Sequence, residues 1–177
     1  VPAAAAAVFD AGAHVVLPGL INTHHHFYQT LTRSVPAAID EELFGWLAAL
    51  YPLWARLTPE ALETAATTAM AALLLSGCTT TTDHHYVFPA GLEQAIDIEV
   101  AAARALGIRV VLTRGSMNRS RRDGGLPPDG IVQDRDVILA DSQRLIDAYH
   151  RPAPGAMVQI ALAPCSPFSV TRALMEE

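Results

Sequence analysis

The stretch Leu17-Pro18-Gly19-Leu20-Ile21-Asn22-Thr23-His24-His25-His26 closes an apolar run, Val15 to Ile21, with three histidines. A short run of Val, Leu and Ile bounded by turn residues reads as a buried β-strand. Side chains alternate along a strand, so His24 and His26 share a face and His25 points the other way. Two imidazoles at i and i+2 can converge on one metal ion, since a neutral imidazole nitrogen binds zinc at about 2.0–2.1 Å. A lone histidine would read as an ordinary hydrogen-bonded residue. A His-x-His directly after a buried strand reads as a metal site with His24 and His26 as ligands.

Composition frames that site. Of 177 residues, 51% are hydrophobic and 17% charged, so the chain can bury a sizeable core and is not disordered. The formal net charge of −6 argues against nucleic acid or an anionic membrane as partner, because both call for a basic face. No apolar segment reaches the roughly 18 residues of a membrane span. The alanine run at residues 3–7 lacks the basic flank of a signal peptide. Cys78 and Cys165 are too few and too far apart for a disulfide scaffold, so a reducing cytoplasm is the expected setting.

Outward from the histidines the chain alternates. Residues 1–14 read as the end of a small β domain or a linker. Glu41 to Leu57 holds Leu43, Phe44, Trp46, Leu47, Leu50, Tyr51, Leu53 and Trp54 at helical spacing, interrupted at Pro52. That helix either packs on the sheet or lines a substrate box. Thr58-Pro59-Glu60 is a helix start, with a hydroxyl at the N-cap and proline at the first position. Leu62, Ala65, Ala66, Ala69, Met70 and Leu73 continue at three- and four-residue spacing until Gly77. Cys78 to Thr82 reads as a second strand and ends in Asp83-His84-His85.

Pro89-Ala90-Gly91 opens a third helix, with Leu92, Ile96, Val100 and Ala103 inward and Gly107 at its end. Ile108 to Thr113 is a third strand. Arg114-Gly115-Ser116-Met117-Asn118 begins a long loop, whose Arg119, Arg121, Arg122, Asp123 and glycines read as exposed and mobile, either a lid or an insertion. Asp134 to His150 is amphipathic, Met157 to Leu162 is a fourth strand, and Ser169 can cap one more helix.

Strand–helix alternation predicts an α/β fold with a parallel sheet and right-handed crossovers. Polar clusters fall at the C-terminal ends of strands, where such folds build active sites. A glycine-rich dinucleotide fingerprint and a P-loop are both missing, which favours a (β/α)8 barrel over an open nucleotide-binding sheet. Four strands are half of a barrel. Residues 15–177 therefore read as the first half of a TIM-type barrel, with both ends of the chain reading as cuts.

Pro18 to His26, Ser76-Gly77-Cys78-Thr79-Thr80 and Ala163-Pro164-Cys165-Ser166-Pro167 resemble the amidohydrolase superfamily, over about residues 15–177. The nearest resemblance is to its cytosine-deaminase-like and chlorohydrolase-like aminohydrolases. His24 to Arg33, Asp83-His84-His85 and Thr113 to Asn118 most resemble the 8-oxoguanine deaminases. This implies one divalent metal, zinc ahead of iron, held in part by His24 and His26. It implies a small heterocyclic substrate, with a second copy of the chain left open as a partner. Gln29 stands where related guanine deaminases hold the purine, or else braces its loop. Arg114 either holds a substrate carbonyl or makes a salt bridge at the barrel rim. His84 or His85 either faces the pocket or does not. The resemblance puts the remaining ligands and the proton-transfer carboxylate beyond residue 177, so these residues alone are expected to be inactive.

The implied reaction is hydrolytic deamination of a purine-like heterocycle, foremost 8-oxoguanine to urate and ammonia. The alternatives are guanine deamination, removal of an alkylamine or chloride from a triazine, or an inactive metal-binding fragment. A zinc deaminase of the other fold is excluded, because Pro164-Cys165-Ser166-Pro167 lacks the Pro-Cys-x-x-Cys pattern.

Overall fold

A computed structural model describes residues 7–177. The run at residues 3–6 and the start of the N-terminal segment lie outside the described residues. Residues 7–14 form no strand; they hold a turn in which His14 N–H donates to Ala11 O at 2.9 Å.

Among the described residues four parallel strands lie in chain order: β1 (Leu20–Asn22), β2 (Cys78–His85), β3 (Arg109–Ser116) and β4 (Val158–Pro164). The α-helices among the same residues are α1 (Leu43–Trp54), α2 (Pro59–Leu75), α3 (Ala95–Leu106), α4 (Arg135–Tyr149) and α5 (Arg172–Met175). A parallel neighbour needs a crossover, and right-handed crossovers put α2, α3 and α4 on one face of the sheet. Val110 and Leu112 of β3 point into that helical layer and are fully buried. Val111, Thr113 and Gly115 alternate to the other face.

Local signals explain the helix ends. Ala61 N–H donates to Thr58 Oγ1 at 3.2 Å, an N-cap worth about 1 kcal/mol. Gly107 ends α3 with φ +71°, a left-handed conformation that a side chain would resist. Pro52 does not interrupt α1; it sits in the last turn, and the helix ends two residues later. The core gathers Phe27, Tyr28, Trp54, Leu62, Met70 and Ile96, all at most 1% exposed. Tyr28 meets Trp54 edge-on at 5.2 Å, and such aromatic pairs add about 0.5–1.5 kcal/mol beyond burial.

Several expected boundaries change. The first strand is three residues long, and Val15, Val16 and Leu17 are 86%, 78% and 76% exposed. β1 is an edge strand with β2 as its one partner, its register shifts between Leu20 and Ile21, and Pro18 has no N–H to extend the ladder. The third helix begins at Ala95; Pro89 to Gln94 form turns, although Leu92 is buried as expected. Strands β2 to β4 run two or three residues further than expected, so the polar clusters stand on the strands themselves.

The segment after β3 is pinned rather than free-standing. Asn118 N–H and Arg119 N–H both donate to Ser169 O, Leu126 N–H donates to Phe168 O, and Met117 and Ser120 are buried. Its exposed parts are Arg121 to Gly124 and Asp129 to Gly130. Ser169 does not cap α5; Thr171 occupies the N-cap position. Among the described residues no helix is long and apolar enough to cross a membrane.

Candidate metal centre and ligand cavity

The histidines continue the extended geometry of β1. His84 N–H donates to His25 O at 2.8 Å, so residue 25 is still bridged to β2, and His26 has φ −133° and ψ 90°. Alternation therefore holds through the cluster. The Nε2 atoms of His24 and His26 are 3.1 Å apart, while His25 turns toward Phe27 on the other side.

His26 Nδ1 is 2.7 Å from His84 O. A carbonyl only accepts, so Nδ1 carries the ring proton and Nε2 presents a lone pair toward His24. Burial pulls the His26 pKa down to about 4, partly offset by the bond to His84 O, which leaves a neutral imidazole near neutral pH. The His84 ring stacks on His24 at 4.7 Å and 27°. Two imidazole nitrogens 3.1 Å apart are compatible with one ion at about 2.0–2.1 Å from each, so this donor pair fits a divalent metal such as zinc.

These rings stand at one end of a cavity of about 320 Å³. It lies over the C-terminal ends of the strands, bounded by His84 and Tyr86 from β2 and its exit, Thr113 and Gly115 of β3, and Ala163 and Pro164 of β4. Gly115 is required here: a Cβ would lie 2.6 Å from Tyr86 Cβ and 2.7 Å from His85 O. The helix α1 roofs the cavity with Leu43, Trp46, Leu47 and Tyr51 while burying Leu50 and Trp54 beneath. One face of the helix thus lines the cavity and the other packs into the core.

Gln29 lines the cavity, and its Nε2 donates to the phenol oxygens of Tyr28 at 3.2 Å and Tyr86 at 3.4 Å. Burial pushes both phenols upward in pKa, so they stay neutral. The structure thus brings together His24, His26, Gln29 and His84. It does not bring Arg114 or His85 to them.

Arg114 and His85 point into the helical layer, because each sits one residue out of phase with the cavity-facing positions of its strand. Arg114 donates to Asp141 Oδ2 at 3.0 Å and to Gln133 Oε1 at 2.7 Å, and it packs over Phe88 at 4.2 Å. Its guanidinium is an anchor for α4 and does not reach the cavity. His85 Nδ1 lies 3.0 Å from Glu99 Oε1 and Nε2 lies 2.7 Å from Val87 O, with the ring fully buried. The His85–Glu99 contact has the geometry of an ion pair, but burial pushes His85 down to about 4 and Glu99 up to about 8. Near neutral pH it is a hydrogen bond between a neutral carboxyl and a neutral ring.

Sequence reasoning missed Tyr86, Thr113 and the Asp83–His85–Glu99 cluster. Alternation from His84 would have placed Tyr86 on the cavity face. Glu99 lies one turn after Ile96, inside the apolar stripe of α3, and a carboxylate in such a stripe needs a buried partner.

Residues 15–177 match the amidohydrolase family. The chain belongs to the amidohydrolase family. It is 63% identical over 170 residues to 8-oxoguanine deaminase from Pseudomonas aeruginosa, covering 96% of this chain and 38% of that protein. It is 36% identical to hydroxydechloroatrazine ethylaminohydrolase from Pseudomonas sp. strain ADP, covering 85% of this chain and 32% of the relative. Among solved structures, the zinc complex of atrazine chlorohydrolase from Arthrobacter aurescens TC1 superposes with a TM-score of 0.83 at 35% identity, over 90% of this chain and 37% of that one. This amidohydrolase chain therefore spans well under half the length of the relatives it matches.

Proposed function

We propose that this amidohydrolase chain supplies one half of the active site of a metal-dependent deaminase whose substrate is 8-oxoguanine, released as urate and ammonia. The observation that carries the reading is the convergence of His24 and His26 at an apolar cavity, with His26 held as a neutral ligand by His84 O. The 63% identity to 8-oxoguanine deaminase supports the choice of substrate. Zinc is the metal we favour, from the two imidazole donors and from the zinc complex of a structural neighbour.

When bound, a divalent ion supplies an acidified water, with a pKa near about 7, as the nucleophile for the carbon bearing the amino group. The chain's own residues bind and orient. His24 and His26 would hold the ion through Nε2. Gln29 has its amide nitrogen engaged by two phenols, which leaves its carbonyl oxygen to accept from a ring N–H. Trp46, Tyr51 and Phe168 form apolar walls that exclude water and pack against a flat heterocycle.

The test is a comparison of kcat/KM for 8-oxoguanine, guanine and hydroxyatrazine, with metal content measured on the natural gene product. Preference for 8-oxoguanine is expected. Preference for the triazine would move the site to the second reading, and a metal-loaded protein inert toward all three would sink both.

A further inference from the structure

A second polar cluster lies behind the metal centre. Alternation along β2 sends His84 to the cavity and sends Asp83 and His85 to the helical side, where α3 contributes Glu99. All three side chains are 0% exposed, and their ligand-type atoms lie within 4.8 Å of one another. Two carboxyls in an apolar layer are costly unless their charge is neutralised and hydrogen bonds replace those to water.

The hydrogen bonds have a direction. His85 Nε2–H donates to Val87 O at 2.7 Å, so Nδ1 is the accepting nitrogen and Glu99 O–H donates to it at 3.0 Å. Asp83 Oδ1 accepts from Phe27 N–H at 2.6 Å. Asp83 Oδ2 and Glu99 Oε2 are both buried and make no hydrogen bond, so Asp83 is held by its contact with Phe27 N–H and by its packing beside Glu99 and His85.

Phe27 follows His26 directly, and its N–H belongs to the peptide between them. The same stretch is held twice more, by His84 N–H on His25 O at 2.8 Å and by His26 Nδ1–H on His84 O at 2.7 Å. Residues 25–27 are therefore bracketed on residues 83–84, and the buried cluster is the inner end of the bracket. We infer that Asp83, braced by Glu99 and His85, is a positioning residue for His26. It sets the 26–27 peptide and so the aim of His26 Nε2. The inference rests on the reading of His24 and His26 as metal ligands.

The test uses the metal-loaded natural gene product and measures metal per chain, the rate of metal release to excess chelator, and the melting midpoint. Partners behind a metal ligand typically change metal affinity about 10–100-fold when removed. Asp83→Ala and Glu99→Leu are expected to release metal about tenfold faster than wild type. Asp83→Asn keeps an oxygen for Phe27 N–H and is expected to stay near the wild-type rate. Ile96→Ala, a cavity in the same helix, lowers the midpoint without changing release. A wild-type release rate in Asp83→Ala overturns the inference, and should that variant not fold, Glu99→Leu decides by the same criterion. Loss of a second metal equivalent in Glu99→Leu also overturns it, since the cluster would then bind an ion of its own. Retention of full metal by His26→Ala would instead overturn the ligand reading on which the inference rests.

Discussion

The ring proton of His26 is directed at the carbonyl oxygen of His84, 2.7 Å away, and this one contact commits the opposite nitrogen to the space shared with His24. The backbone of one strand thereby selects the tautomer of a side chain on its neighbour. His25, between the two, makes its link to β2 through the backbone alone.

Metal content should follow that asymmetry. His24→Ala and His26→Ala are expected to lose most of the bound metal in the natural gene product, and His25→Ala to keep it. Elemental analysis of the purified variants checks this. Equal loss from all three would mean that the cluster binds without a shared face.

If Gln29 accepts from a ring N–H as proposed, Gln29→Ala removes one hydrogen bond to the ligand, a loss of roughly 1–3 kcal/mol. At about 1.36 kcal/mol per factor of ten, kcat/KM for 8-oxoguanine is expected to fall about tenfold to a hundredfold, with metal unchanged. Tyr86→Phe retains the wall but loses one phenol oxygen that accepts from the amide. It is expected to fall less than Gln29→Ala. Steady-state kinetics on both variants decide whether Gln29 meets the ligand or only braces its loop.

Arg114 is expected to matter for stability and not for substrate affinity. Its side chain is 0% exposed and is paired with Asp141, which is 15% exposed. Removing one partner of a buried pair costs roughly 3–5 kcal/mol, somewhat less here because Asp141 reaches water. Arg114→Met should therefore lower the melting midpoint by several degrees while leaving KM for substrate within about twofold. A large rise in KM with an unchanged midpoint would return Arg114 to the binding site.

The buried cluster predicts a pH dependence of stability. Burial raises Glu99 from 4.5 to about 8, so its contribution is fully present below 4.5 and is lost as pH rises toward 8. Burial lowers His85 from 6.5 to about 4, so its contribution is present above 6.5 and is lost on acidification toward 4. The two oppose each other between 4.5 and 6.5. Burial also raises Asp83 well above its ordinary value, with the same sign as Glu99, so above 6.5 the two carboxyls act together and the melting midpoint is expected to fall between pH 6.5 and 8. Glu99→Gln, which cannot titrate, should flatten that decline in a thermal series.

Local chemistry made much of this protein legible. The Thr58-Pro59 start of α2, the glycine that ends α3 and the period-two phase of His24 and His26 each depend on residues within a few positions, and each appears as read. The parallel order of the strands followed from the alternation of elements. What the sequence could not settle is which face of β2 and β3 looks into the cavity. His84 and His85 are equivalent in sequence; one residue of phase puts the first beside His24 and the second against Glu99. Arg114 is decided in the same way, by an aspartate 27 residues away on α4. The short, exposed β1 is also a tertiary outcome, since a strand extends only as far as a neighbour supplies hydrogen bonds. The residue types specified a two-imidazole site at the end of a strand. Packing across β2 and α3 decided which polar groups serve that site and which are sealed behind it, because pairing of buried carboxyls is a property of facing surfaces and not of sequence spacing.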